Sequence, residues 1–285
     1  MSATIESMRQ KIERTEELGS VVRTMKALAA SSIGQYEDSV HALSDYYRTV
    51  LLGLSICLGR EALHPQRAVL SSTGEVTGVV VFGSDQGLVG QFNEALTDFV
   101  ANQLEEIGGE QKIWAVGERI YARLLDDGLP VKELFHVPNS VEGISPLLGQ
   151  LLQKTRKGNF YLFHNRPRSG AVYEQAALRL LPLDRKWILE KTQRQWITGM
   201  LPEVIGDRQQ TLSALIREYL FVTMFKACAE SLAAENASRL AAMQRAEKNI
   251  GEMLEELHQT FHRERQNAID EELFDIIAGF EALGG

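Results

Sequence analysis

The stretch best placed to do chemistry is GSDQGLVGQFN, residues 83–93, which is glycine-rich and directly follows an apolar run. Backbone N–H groups in such a loop can cradle a phosphate. That chemistry calls for Gly-Lys-Ser/Thr behind the glycines or for a GxGxxG spacing, and the loop has neither. It reads as a structural turn, with Asp85 and Asn93 capping a helix start. The six histidines, His41, His64, His136, His164, His258 and His262, are scattered except for the last two. These stand at i, i+4 and could share a metal ion, but no glutamate lies between them as in HExxH and no third ligand is in view, so they read as surface residues. Cys57 and Cys228 each fall in a helical pattern without ligand or redox spacing, and they read as buried free thiols. No nucleophile and base pair can be argued. The expectation is a chain with no catalytic residues, no cofactor and no metal.

The elements that hold these residues are legible in the prolines. All seven lie between Pro65 and Pro202, leaving 64 residues before and 83 after without one, and Trp114, Trp187 and Trp196 share the same middle stretch. Proline breaks a helix interior at about 3 kcal/mol, so two proline-free ends predict two long helices around a compact centre. The expected organisation is an N-terminal coiled-coil helix over 1–64, a central α/β domain over 65–207, and a C-terminal coiled-coil helix with an overhanging tip over 208–285.

In the first arm apolar positions recur every three or four residues: Ile5, Met8, Ile12, then Leu18, Val22, Met25, Ala29, and later Ile33, Tyr36, Val40, Leu43, Tyr47, Val50, Leu54 and Leu58. Some 55 residues of helix span roughly 80 Å, and a helix that long needs a partner along its length. The second arm supplies one. Stepping 3, 4, 3, 4 from Leu212 to Phe261 meets twelve apolar residues in fifteen, with Lys226, Asn236 and Glu247 as polar interruptions that could set register. One arm enters and one leaves the same domain, so an antiparallel coiled coil is expected. The second arm is longer, which predicts an overhang of about 20 residues, or about 30 Å, beginning near Phe261. Beyond it Ile269, Leu273, Ile276, Ile277, Phe280 and Leu283 alternate with Asp270, Glu271, Glu272, Asp275 and Glu281. An amphipathic helix of this kind buries its apolar face against another protein.

In the centre, β-rich runs at 76–82, 112–116, 131–137 and 160–164 alternate with helical patterns at 91–107, 118–125 and 141–155. Such alternation predicts a small Rossmann-like α/β domain with a mostly parallel sheet, and 171–182 and 187–189 read as added edge strands or a hairpin. The formal net charge of -8 divides as -1 over 1–64 (7 basic, 8 acidic), 0 over 65–202 (15 and 15) and -7 over 203–285 (8 and 15). With no dense Lys/Arg stripe, neither nucleic acid nor an anionic membrane surface is an expected partner. No run approaches the ~20 apolar residues of a membrane span, and the charged N-terminus resembles neither a signal nor a transit peptide, so a cytoplasmic chain is expected.

Three patches extend the pattern to a family. RTMKALAASS at 23–32 resembles "MKMVAASK", SDQGLVGQFN at 84–93 resembles "SDRGLCGGLN", and SRLAAM at 238–243 with RQNAIDEEL at 265–273 resembles "ARMVAM" and "RQASITQEL". These are motifs of the gamma subunit of F-type ATP synthases, and with the two arms the resemblance covers essentially the whole chain. It implies a non-catalytic central rotor shaft turning inside a ring of three alpha and three beta subunits, coupling transmembrane ion flow to ATP synthesis or hydrolysis. The α/β domain would be the foot that meets epsilon and the ring of c subunits, peripheral on the cytoplasmic face of a bacterial inner membrane. By position it implies shaft contacts with alpha and beta at Met25, Lys26, Arg239, Gln266, Asp270 and Glu272, and a tip bearing at Leu273, Ile276, Ile277, Phe280 and Leu283. The chain departs from the pattern at Gln91, at Asp270 and over 33–38, which suggests a divergent bacterial form with H+ or Na+ as the coupled ion. The alternatives are a coiled-coil adaptor of another assembly and a small enzyme holding a phosphorylated ligand on the loop at 83–90.

Overall fold

A computed structural model of the chain describes residues 2–59, 76–154, 158–168, 172–183, 187, 200 and 202–283. Two long helices dominate it, α1 (Ser2–Gly59) and α5 (Arg208–Leu283). Between them come β1 (Val76–Phe82), α2 (Phe92–Ile107), β2 (Glu110–Val116), α3 (Glu118–Asp126), β3 (Val131–Phe135), α4 (Val141–Leu152), β4 (Asn159–Pro167) and β5 (Tyr173–Leu181). The fold class is the expected one, α/β with helical arms at both ends. The chain forms two compact units, one of residues 30–239 and one of residues 1–29 with 240–285.

In the larger unit the described strands form one sheet in the order β3-β2-β1-β4-β5. The first four are parallel, and β5 closes the edge antiparallel to β4, as expected of the residues after 171. Of the run at 187–189 only Trp187 is described; its ring stands 4.9 Å from that of Tyr219, centroid to centroid, and Leu189 lies outside the described residues. A parallel strand is buried on both sides, which is why β1 reads as a continuous apolar run rather than an alternating one. Its Val79 and Val81 pack with Leu96, Val100 and Leu104 of α2 and Ile120 and Leu124 of α3. Val80 and Phe82 belong to a second core with Leu148 and Leu151 of α4, Leu51, Leu54 and Leu58 of α1, and Met224 and Cys228 of α5. The C-terminal part of α1 and the N-terminal part of α5 are thus part of the sheet domain's own core. Both cysteines are buried free thiols as expected, and burial raises the Cys228 thiol well above its ordinary range.

Two glycines hold the ends of β1 and β2 together. A Cβ on Gly83 would lie 2.3 Å from Ile120 Cβ, and one on Gly117, at φ +118°, would lie 2.7 Å from the Ser84 carbonyl oxygen. Moving Ile120 would displace α3, and moving Ser84 would displace the end of β1. Gly83→Ala is expected to lower the unfolding free energy by roughly 2–3 kcal/mol, read as a lower urea midpoint at unchanged m.

Within this unit α1 and α5 run antiparallel: Tyr46 Oη donates to Glu218 at 2.8 Å, and Arg208 donates to the Cys57 carbonyl. They do so again in the smaller unit, where Lys26 pairs with Glu247 and His258 stands 3.9 Å from Glu16. There Val22 and Met25 of α1 meet Met243, Ile250 and Leu254 of α5. The structure changes two details of the seam. Leu18 is 54% exposed, and Gly19 takes its place, with Ile250 Cγ2 3.3 Å from where a Cβ would stand. The seam also does not end at Phe261. Half-buried positions continue at Glu264 and Ala268 of α5, and Ile5 and Met8 near the start of α1 are half-buried as well. From Ile269 on, every described side chain of α5 is exposed.

Candidate functional site

In an open parallel sheet, ligands bind outside the carboxyl ends of the strands, where the connections diverge to either side. Here that point lies between β1 and β4, which pair in register with Phe82 opposite His164. The loop at 83–91 leaves from it. The loop's polar groups are spent on one another and on the neighbouring elements. Ser84 N–H donates to Asn93 Oδ1 at 3.1 Å, and Asn93 Nδ2 donates back to Ser84 Oγ at 2.9 Å. Asp85 accepts from Glu118 N–H at 2.8 Å and from Val137 N–H at 3.0 Å, so it caps α3 and ties down the end of β3. Sequence reasoning placed both Asp85 and Asn93 at one helix start. The structure gives Asp85 to α3, and Asn93 lies in the first turn of α2, whose N-terminus has no side-chain cap.

The crevice itself is filled by α5. Ser231 Oγ donates to the Phe82 carbonyl at 3.1 Å, Ser238 Oγ to the Val89 carbonyl at 2.6 Å, and Glu230 Oε2 lies 2.9 Å from His164 Nε2. His164 is fully buried, and Arg166 Nε and Lys226 Nζ flank Glu230 at 3.6 and 3.7 Å. No pattern in the sequence joined His164 to Glu230, because the two are 66 residues apart and on different kinds of element. Burial holds the His164 imidazole below the usual histidine range, outweighing the pull of Glu230 in the other direction. Burial alone would raise Glu230, but the His164 hydrogen bond and the charges of His164, Lys226 and Arg166 leave it below the ordinary carboxylate value. A histidine depressed in the fold stabilises it above its unfolded pKa of about 6.5, and that contribution is lost as pH falls below this value. Glu230, also depressed, adds a further loss only below about pH 4.5. The melting temperature is therefore expected to fall between about pH 7 and pH 5.5, and His164→Gln is expected to flatten that slope.

Beside the loop a cavity of about 150 Å³ opens between Tyr36, Asp85, Asn139, Glu235 and Arg239. Arg239 Nη2 donates to Glu235 Oε1 at 2.6 Å, with side chains 12% and 7% exposed. Burial raises the Glu235 carboxyl, and Arg239 opposes that rise. Arg239 is thus engaged inside the sheet-domain unit. Among the other residues expected at the shaft surface, Met25 is half-buried in the seam. Lys26 reaches across to Glu247, so one of the three polar interruptions joins the two helices; Lys226 pairs with Glu230 and Asn236 donates to the Leu232 carbonyl, both along α5. Gln266, Asp270 and Glu272 are exposed on α5. Leu273, Ile276 and Ile277 are 53%, 61% and 46% exposed, while the side chains of Phe280 and Leu283 lie outside the described residues. Sequence reasoning missed Phe274, 70% exposed beside them, and a second uncovered apolar row on α1 formed by Leu18, Val21 and Leu28. Their 3- and 7-residue spacing was present in the sequence, but Leu18 was placed in the seam and Val21 and Leu28 were not singled out.

Fold and site together define a protein of two long antiparallel helices and an α/β sheet domain in which the crevice at the strand ends is occupied by the chain's own helix. A family model described as ATP synthase matches residues 4–283. The ATP synthase gamma chain of Janthinobacterium sp. (strain Marseille) is 27% identical over 295 residues, covering 99% of this chain and all of that one. That of Syntrophus aciditrophicus (strain SB) is 28% identical over 300 residues, covering 99% of each. Among solved structures, a chain of the Euglena gracilis mitochondrial ATP synthase superposes with a TM-score of 0.64 at 16% identity, covering 99% of this chain and 95% of that one. The chain belongs to the ATP synthase gamma family, and its role is the family's, the central rotor shaft of the rotary enzyme.

Proposed function

We propose that this chain turns within a ring of three alpha and three beta subunits, with its sheet domain as the foot that meets epsilon and the ring of c subunits. The observation that carries the reading is the uncovered apolar end of α5, Ile269 to Ile277, set among acidic residues on an otherwise paired helix. A surface of this kind is stable only when another protein receives it. The Leu18, Val21 and Leu28 row on α1 offers a second such surface in the same unit. Nucleotide chemistry belongs to alpha and beta, and this chain supplies no active site of its own. It acts by presenting a different face to each beta subunit, and it can bias each only by as much as that face binds one conformation better than another. Gln266, Asp270 and Glu272 are positioned for polar contacts with those subunits, and Leu273, Ile276, Ile277, Phe280 and Leu283 for the apolar bearing. Met25 and Lys26 act through the seam, by fixing the surface that α1 presents. No helix among the described residues is long and apolar enough to cross a membrane, which suits a peripheral subunit on the cytoplasmic face of a bacterial inner membrane.

Co-expression with alpha and beta subunits tests this directly. The expected result is one copy of the chain per three alpha and three beta. A stable homodimer that ignores those subunits would overturn it in favour of a coiled-coil adaptor.

A further inference from the structure

Over residues 219–238, α5 has two working faces. At about 100° per residue, Tyr219, Ala229 and Ala233 share one side, in a core with Tyr36, Val50 and Leu54 of α1, and Ser231, Ala234 and Ser238 lie well round from it, against the end of β1 and the loop that follows. A seam of apolar side chains resists separation but is nearly indifferent to small rotations, because apolar attraction has no direction. Beside the small residues, Met224 and Cys228 pack with Val80 and Phe82, and that contact is apolar too. Direction comes instead from the three buried polar contacts, Glu230 on His164, Ser231 on the Phe82 carbonyl and Ser238 on the Val89 carbonyl. Ser231 and Ser238 lie two turns apart, about 10 Å along the axis, and Glu230 stands to one side of them. Turning α5 by a single residue would take Glu230, Ser231 and Ser238 away from His164 and from the Phe82 and Val89 carbonyls, and a hydrogen-bonding group left buried without its partner is costly.

We propose that these contacts are the torsional key of the rotor, fixing the rotational setting of α5 on the sheet domain so that torque on the domain turns the helix instead of slipping it. The inference rests on the shaft role described above. Glu230, Ser231, Ser238 and His164 are positioning residues in it and touch no substrate. The key sits where related sheets take a ligand, which explains in the same terms why the crevice is filled.

The test uses the complex with alpha and beta subunits fixed to a surface and a probe attached at the exposed edge strand through Lys132→Cys; the native cysteines are buried. The angular variance of the stalled rotor is then recorded. In the triple variant Glu230→Gln/Ser231→Ala/Ser238→Ala the variance is expected to rise roughly twofold or more, at a temperature well below melting. A variance equal to that of the unaltered chain in an assembled complex would overturn the proposal, whereas lost thermal stability alone would not move this readout. If the triple variant does not assemble, Ser231→Ala carries the test, with a smaller rise expected and an unchanged variance counting against the key. A probe on the unaltered chain that never turns with ATP would instead sink the shaft reading, and this inference with it.

Discussion

Deleting residues 269–285 is expected to leave the remaining chain as stable as before and to cost the assembled complex its coupling. The first half follows from burial: every described side chain from Ile269 onward is exposed, so removing them takes away little internal packing. The second half follows from what is uncovered. Ile269, Leu273, Phe274, Ile276 and Ile277 are all about half exposed or more, and each is worth roughly 1.5–3 kcal/mol when buried against a partner. If only two of them are buried in the complex, the loss is about 3 kcal/mol or more, a weakening of at least about a hundredfold. Melting of the truncated chain and its affinity for the alpha and beta ring check the two halves separately. A cut before Leu257 should behave differently, since it also removes the half-buried Leu257, Phe261 and Ala268 from the seam and lowers the stability of the smaller unit. An unchanged ion-coupled ATPase in the 269–285 deletion would remove the bearing role assigned to the tip.

The second large effect is expected at Arg239. Its guanidinium and the Glu235 carboxylate are paired at 2.6 Å with little access to water. Breaking such a pair from one side leaves a buried charge without compensation, at about 3–5 kcal/mol. Arg239→Ala should therefore destabilise the chain by that order in urea unfolding, before any partner is present. Replacing both groups by apolar residues of similar volume, Glu235→Leu with Arg239→Met, should restore most of the loss, because the desolvation of two charges is then no longer needed. An Arg239→Ala chain with wild-type stability, defective only in the complex, would make the pair dispensable to the fold and favour the contact with alpha or beta that the resemblance implies for Arg239.

Much of this was legible in residue order. The proline-free ends and their 3, 4 spacing specify two long helices with a shared seam, since a helix of that length is stable only when its apolar stripe is covered. Runs such as VTGVVVF at β1 and NFYLFH within β4 are too uniformly apolar for a sheet with one wet face, and they are the interior strands of the parallel sheet. The exposed end of α5 was visible as well, because its apolar positions have no counterpart in the shorter first arm.

The rest required the tertiary structure. Periodicity reports that a residue faces something, but not what it faces. Ser231, Ala234 and Ser238 fall outside the 3, 4 stepping of the second arm, and only the docked sheet turns them into a second buried face. Leu18 had the spacing of a seam residue and is exposed, because the seam passes one residue away through Gly19, where the close approach of Ile250 leaves no room for a large side chain. Asp85 and His164 take their partners from segments 33 to 66 residues away, and a one-dimensional pattern holds no distance between such segments. Sequence alone determined the arms, the interior strands and the family to which they belong, since those follow from local spacing and composition. Tertiary structure decided which faces are spent on the protein itself and which remain for partners, because burial belongs to pairs of surfaces and becomes definite only when both are in place.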